Sequence, residues 1–198
     1  MSVVQRRPDA SRCVRAGEGG YSGPMTERSS IDVLHTGLDQ VETLIATVAP
    51  DDGDRSTPCP QWSVRDLVDH LVLAPQKFAR MTRGEDVDWS APTPHEDDPV
   101  AAFRAHADEL RAALAESPDA PPGPDWQCAE VAVHTWDLAT ALDRPTADLD
   151  PDVAERGLAF MRASLTDDNR APAFQAEQPA PDGADAYARA AAFAGRKV

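Results

Sequence analysis

Hydrophobic residues recur every three or four positions along most of the chain after residue 30, and they rarely alternate with polar residues. This spacing places the apolar side chains on one face of an α-helix, which turns by about 100° per residue. The first helix is predicted to start at Ser30, and Pro50 lies just past its end. Its apolar face consists of Ile31, Leu34, Leu38, Val41, Leu44, Ile45 and Val48.

A second helix is predicted after the polar turn DDGDRSTPCPQ, because Ser63 and Asp66 have the spacing of a capping box. Gly84 is predicted to end it. Pro75 lies inside this helix and has no amide hydrogen for the carbonyl of Leu71, so it is predicted to kink the helix. The apolar face of the second helix consists of Val64, Leu67, Leu71, Ala74, Phe78 and Met81.

Further helices follow, separated by proline-rich segments. The pattern predicts a helix over 99–116, one over CAEVAVHTWDLATA at 128–141, and one over roughly 152–165. A last alanine-rich helix is predicted to end at Gly195. No useful length of sequence has the two-residue period of a strand. The sequence therefore predicts an all-α protein, most simply a four-helix bundle with a short helical C-terminal extension.

Composition changes this picture at the N-terminus. Residues 1–27 show no helical or strand period, so they are predicted to form a disordered tail ahead of one helical domain over 28–198.

The formal net charge of the chain is −15, from 19 basic and 34 acidic residues. Such a field opposes binding to nucleic acid or to an anionic membrane.

The cysteines and the terminal segments exclude further classes. Cys13, Cys59 and Cys128 are widely spaced, which indicates neither a zinc knuckle nor a disulfide framework. No apolar run approaches the about 18 residues of a membrane span. The N-terminus has arginines but lacks the apolar segment of a secretory signal. A cytoplasmic protein, monomeric or homodimeric, is the simplest expectation.

Polar residues lie beside the apolar face of the helix predicted over 128–141. Glu130 and His134 are neighbours one turn apart, and Asp137 follows on the same row. The row borders the apolar face, where a side chain can point into a cavity. Two interpretations are open: an ordinary solvated pair on a helix surface, or two ligands of a metal ion.

His70 makes the metal interpretation more specific, because it lies at the edge of the second helix's apolar face. Two imidazoles and one carboxylate suit Zn²⁺, Fe²⁺ or Ni²⁺ and leave coordination positions open. His70, Glu130 and His134 are therefore predicted as metal ligands, with Asp137 orienting a histidine from behind. The alternatives are a core-edge histidine bonded to a carbonyl for His70 and a helix-surface carboxylate for Asp137.

The other histidines and two tryptophans have plainer predictions. His35, His95 and His106 are predicted to be solvated. Trp62 and Trp136 are predicted to lie in the core or in the wall of a pocket.

The stretch TPCPQWSVRDLVDHLV, followed by EVAVHTWDLATA, resembles the mycothiol-dependent maleylpyruvate isomerase N-terminal family of the DinB-like superfamily. The end, RAPAF…ARAAAFAGRKV, is similar to that of its stand-alone actinobacterial members. The resemblance implies a DinB-like four-helix bundle with one divalent metal, usually zinc, at His70, Glu130 and His134. It also implies the thiol cofactor mycothiol. In the isomerase, the thiolate adds to the double bond of maleylpyruvate, the adduct rotates, and elimination gives fumarylpyruvate.

Three departures from the family pattern bear on activity. Pro75 follows His70 by about one turn, where members usually carry small residues and an asparagine. The segment before Glu130 is short. The isomerase has a separate C-terminal domain that supplies a substrate-binding arginine. The sequence shows no counterpart of that domain, and Arg170 and Arg196 are candidates to replace its arginine.

The leading hypothesis is therefore a metal- and mycothiol-dependent isomerase or transferase that acts on a small molecule. A non-catalytic bundle that binds a metal or a small ligand is the second. A helical interaction protein without a metal is the third.

Overall fold

The computed structural model describes residues 28–170 and 174–198, and the predicted tail at 1–27 lies outside the described residues. The described chain has no strand, which confirms the all-α fold. None of its helices combines the length and the apolar composition that a membrane span requires. Its helices are α1 Ser30–Ile45, a 3₁₀ turn at Pro50–Asp52, α2 Val64–Thr82, α3 Pro99–Glu116, α4 Pro124–Ala141, α5 Pro151–Ser164 and α6 Ala186–Phe193.

Local capping explains where these helices begin. At α2, the Ser63 hydroxyl accepts from the amide of Asp66 at 3.3 Å, and the Asp66 carboxylate accepts from the amide of Ser63 at 2.9 Å. This is the predicted capping box. Three of the α-helices begin with a proline, which has no amide hydrogen to leave unpaired in a first turn. One of these is Pro124, so α4 begins four residues earlier than its predicted start at 128. The helix α2 continues through Pro75 to Thr82.

The helix α4 lies at the centre of the fold, in contact with α1, α2, α5 and α6. Residues 127–139 are all buried except the half-buried Glu130. The sequence predicted a polar row that borders one apolar face of this helix. In the structure α5 and α6 also pack against α4. Glu130, His134 and Asp137 therefore lie in the interior of the protein.

Apolar side chains from all six helices form one core. Phe78, Phe103 and Tyr187 are among its largest fully buried members. Burial of one such side chain stabilises a fold by about 1.5–3 kcal/mol. The apolar faces, rather than the polar row on α4, therefore supply most of the stability of the bundle.

The helix α5 lies close to the backbone of α4 at Gly157, and a larger residue there is expected to destabilise the fold. A Cβ on Gly157 would lie 2.7 Å from Cα of Ala129 and 2.9 Å from the carbonyl oxygen of Cys128. Backbone atoms cannot rotate away, so the helices must separate. We expect Gly157→Ala to lower the free energy of unfolding by about 1–3 kcal/mol, measured by urea denaturation.

A glycine in an exposed helix behaves in the opposite way. Replacement by alanine there usually stabilises the helix by about 1 kcal/mol, because alanine loses less backbone entropy. A gain in stability for Gly157→Ala would therefore contradict the close approach of α4 and α5.

Candidate metal centre

Three polar side chains meet between α2 and α4. Oε1 of Glu130 lies 2.6 Å from Nε2 of His70 and 3.5 Å from Nε2 of His134. One ligand atom from each residue lies within 4.8 Å of the other two. Within residues 28–170 and 174–198, no other three His, Cys, Asp or Glu side chains are arranged in this way. The structure brings together the residues that the sequence singled out, and their role as ligands stays a prediction.

The donor atoms of this cluster fit a divalent ion. Zinc binds imidazole nitrogens and carboxylate oxygens at about 2.0–2.2 Å, so two ligand atoms of one tetrahedral ion stand about 3.4 Å apart. The 3.5 Å distance between His134 and Glu130 already has this value. The 2.6 Å contact between His70 and Glu130 is a direct hydrogen bond. It must lengthen by about 0.8 Å to admit an ion of this geometry.

The second ring nitrogen of His134 also makes a hydrogen bond. Nδ1 of His134 lies 3.1 Å from Oδ2 of Asp137, to which it donates a hydrogen bond. Asp137 is fully buried, so it is not a helix-surface carboxylate. It also accepts from Nε and Nη2 of Arg196, at 3.1 and 2.9 Å. With the proton on Nδ1, the lone pair of Nε2 faces Glu130 and the centre of the cluster.

Burial and neighbouring charges act in opposite directions on the ionisable groups of this site. Burial raises the pKa of Glu130, but the charge of His134 and the hydrogen bond from His70 outweigh it and lower that pKa to about 2. Burial raises the pKa of Asp137 too, and hydrogen bonds from His134 and Arg196 bring it below its usual value. Both groups are therefore carboxylates at neutral pH, the form in which a carboxylate binds a metal.

His134 shows the reverse balance. Burial lowers its pKa, whereas Glu130 and Asp137 raise it more strongly, so the net shift is upward from 6.5. A proton therefore competes with a metal ion for this imidazole.

Aromatic side chains lie next to the histidines of the cluster. The ring of Trp62 lies 4.6 Å from that of His70 and 5.4 Å from that of His134. Trp89, in the loop between α2 and α3, lies 6.3 Å from His70 and 5.4 Å from Phe78. The sequence did not identify Trp89, because the loop has no period that places it. Apolar rings limit the access of water, which strengthens electrostatic interactions in the cluster.

The remaining histidines lie outside the cluster, and their predicted solvation is wrong for two of them. His95 is exposed, with Nδ1 2.9 Å from Oδ1 of Asp69. His106 is half-buried and donates from Nδ1 to the carbonyl oxygen of Val72 at 2.8 Å. His35 is half-buried, and its Nε2 has no partner among the described residues. His35 lies on α1 and His106 on α3, and α3 packs against both α1 and α2, so these two rings are partly buried.

Both arginines that were candidates for a substrate contact are bonded to the protein itself. Arg170 donates from Nη1 to the carbonyl oxygens of Gln175 and Phe193, at 3.1 and 2.7 Å. It therefore anchors the C-terminal segment. Arg196 bonds Asp137, as described above. Neither contact could be predicted from the sequence, since both depend on how the last segment folds back.

The comparison with known families covers this site. The family described as the mycothiol maleylpyruvate isomerase N-terminal domain matches residues 34–139 of the 198, a span that contains His70, Glu130 and His134. The chain belongs to this family. Mycothiol maleylpyruvate isomerase N-terminal domains are part of the DinB-like superfamily, which confirms the resemblance noted in the sequence. The family is metal-binding and mycothiol-related.

Similar proteins extend the relationship beyond the matched domain. Two uncharacterized proteins of Mycobacterium tuberculosis, from strains CDC 1551 / Oshkosh and ATCC 25618 / H37Rv, are each 31% identical over 184 residues. The alignment covers 81% of this chain and 93% of each relative. No solved structure is significantly similar to the chain. The names of these relatives give no activity to transfer to this chain.

Proposed function

We propose that this protein binds one divalent metal ion, most simply zinc, and uses mycothiol in an isomerase or transferase reaction on a small molecule. The observation that carries the proposal is the cluster of two imidazole nitrogens and one carboxylate oxygen within 4.8 Å. It lies between helices whose buried side chains are mostly apolar. Burying polar groups costs stability, so apolar residues would serve a purely structural role better.

His70, Glu130 and His134 would hold the ion. A bound divalent ion lowers the pKa of a coordinated thiol and so favours the nucleophilic thiolate. The chain's own part is to keep the proton on Nδ1 of His134, through Asp137, so that Nε2 is free to coordinate. Trp62 and Trp89 cover the two histidines and limit water around them.

The cysteines of the described chain support an external thiol. Cys128 is fully buried, and burial raises the pKa of its thiol to about 12. Burial also raises the pKa of Cys59, which is half-buried. A thiol with a raised pKa holds little thiolate at neutral pH. Neither of these two side chains is suited to be the nucleophile, which supports a cofactor thiol in that role.

A non-catalytic bundle that binds a metal or a small ligand is the second candidate function. The bonding of Arg170 and Arg196 to the protein favours it, since neither guanidinium is held ready for an anionic substrate. Both candidate functions share the same metal ligands. They differ in whether a thiol enters the site.

Metal analysis followed by mycothiol titration tests the proposal. We expect about one zinc per chain in the purified protein, because the cluster offers one set of three ligands. In the Co²⁺-substituted protein, mycothiol is expected to change the visible absorption spectrum as a thiolate coordinates. S-methylated mycothiol, which cannot form a thiolate, is the control.

Each outcome separates the hypotheses. A spectral change with mycothiol and none with the methylated control supports the thiol-dependent function. If cobalt binds but mycothiol does not change the visible spectrum, the result supports the non-catalytic bundle. A protein that binds neither zinc nor cobalt contradicts a metal site in either candidate and leaves a bundle that binds a small ligand or an interaction protein.

A further inference from the structure

We infer that Arg196 is a positioning residue of the metal centre, which acts through Asp137 on the ring of His134. The end of the chain is then part of the site, although it contacts none of the three proposed ligands directly. The inference rests on the proposed function, because it assigns Arg196 a role toward the ion that His134 is proposed to bind.

The contacts form an unbroken chain of hydrogen bonds from the C-terminal segment to the cluster. Nε and Nη2 of Arg196 donate to Oδ1 and Oδ2 of Asp137, at 3.1 and 2.9 Å. Oδ2 of Asp137 also accepts from Nδ1 of His134 at 3.1 Å. The Asp137 side chain is fully buried and that of Arg196 is 10% exposed, so water competes little for these bonds.

The two-point contact is what makes Arg196 a positioning residue. A carboxylate held by one bond can rotate about its own axis, whereas the planar guanidinium fixes both oxygens at once. Asp137 then accepts the hydrogen bond from Nδ1 of His134 in one direction only. The direction of that bond sets the plane of the imidazole and hence the aim of Nε2 into the cluster.

The fold of the chain end is specific for this contact. Gly195 follows α6 with φ 95°, in the left-handed region that favours glycine. The amide of Gly195 bonds the carbonyl of Ala192 at 3.0 Å, and that of Arg196 bonds the carbonyl of Ala191 at 2.9 Å. This is a Schellman motif, which reverses the chain at the end of a helix. It directs Arg196 back toward α4, which α6 packs against.

The same contacts argue against a substrate-binding role for Arg196. Its Nε and Nη2 are both used by Asp137, and Nη1 is 3.4 Å from the carbonyl oxygen of Ala194. Removing the guanidinium would therefore change the geometry of His134 even without a substrate. Metal affinity, rather than turnover, is the quantity that reports this role.

The test compares Arg196→Gln and Arg196→Lys with Arg170→Gln, in the full-length protein. Arg170 anchors the same C-terminal segment through backbone carbonyls but has no bond to Asp137, so it is the matched control. Zinc affinity is measured by competition with a chelator. The chemical shift of the His134 Nδ1 proton in the zinc-loaded protein is measured by NMR.

We expect Arg196→Gln to weaken zinc binding about tenfold, the size of effect typical for a residue that orients a metal ligand. It should also move the Nδ1 proton signal. In both readouts Arg196→Lys should lie between this variant and the wild type. An ammonium keeps the positive charge but lacks the paired N–H donors of the guanidinium. Arg170→Gln should leave both readouts unchanged.

Unchanged zinc affinity in Arg196→Gln would overturn the inference. An equal loss in Arg170→Gln would overturn it too, since the effect would then come from the packing of the segment. If Arg196→Gln does not fold, Arg196→Lys gives the decision by the same two readouts. A wild type that binds no zinc would instead refute the proposed function, and the inference with it.

Discussion

Replacement of His134 by alanine is expected to abolish stoichiometric zinc binding without unfolding the protein. The change removes one of three proposed ligands, and two remaining ligands hold a zinc ion poorly. The fold should persist, because the apolar faces of the helices supply most of the stability. Asp137 keeps its two bonds from Arg196, so no unpaired charge is left in the core. Elemental analysis reports the metal, and far-ultraviolet circular dichroism reports the helices.

Two further variants serve as comparisons for His134→Ala. Glu130→Gln should be milder than His134→Ala, because the amide oxygen coordinates weakly while the site gains one positive charge. His95→Ala removes an exposed histidine outside the cluster and should leave the zinc content unchanged. Full metal and thiol binding by His134→Ala would place the site elsewhere. Loss of the metal with turnover retained would make the ion structural and remove the proposed thiol chemistry.

The helices could be predicted because each depends on neighbours in sequence. The capping box of Ser63 and the periodic apolar faces indicated α1, α2, α3 and α5 to within a few residues of their bounds. The start of α4 was missed, although Pro124 is a typical first residue of a helix. The first helix ends at Ile45, and the apolar Val48 that was assigned to its face lies in the turn that follows.

The burial of α4 on all sides could not be read from its apolar pattern. Ala129, Ala132 and Ala139 lie among its buried residues. Alanine is compatible with an exposed face as well as with a close helix contact, so the pattern leaves the choice open. The packing of α5 and α6 decides it. With that packing Asp137 is fully buried, which excludes the alternative of a helix-surface carboxylate.

The proposed ligands could be predicted from the sequence, whereas the residues that support them could not. Glu130 and His134 are related by one helical turn, which a sequence displays directly. His70 needed only the assumption that two amphipathic helices face each other. Arg196 lies 59 residues from Asp137 and reaches it through the reversal at Gly195. Trp89 comes from an irregular loop. Contacts of this kind depend on the whole path of the chain.

Zinc is expected to reverse the pH dependence of stability that His134 confers. In the metal-free protein its pKa is raised above 6.5, chiefly by Glu130 and Asp137 against the effect of burial. A raised histidine pKa stabilises the fold fully below 6.5, and this contribution is lost as pH rises through the raised value. The lowered pKa of Glu130 contributes above 4.5 and is lost as pH falls toward about 2. The metal-free contribution is therefore greatest between 4.5 and 6.5.

Zinc requires the neutral imidazole, so its binding releases the proton and strengthens as pH rises through the pKa of His134. Free zinc at about 100 times its Kd stabilises the folded state by about 2.7 kcal/mol. We therefore expect the difference in Tm between zinc-loaded and chelator-treated protein to grow from about pH 5.5 to about pH 8, because zinc binding strengthens as His134 loses its proton. His134→Ala is the control, and its two curves should coincide. A difference that stays constant across this range would show that His134 does not exchange a proton for the metal.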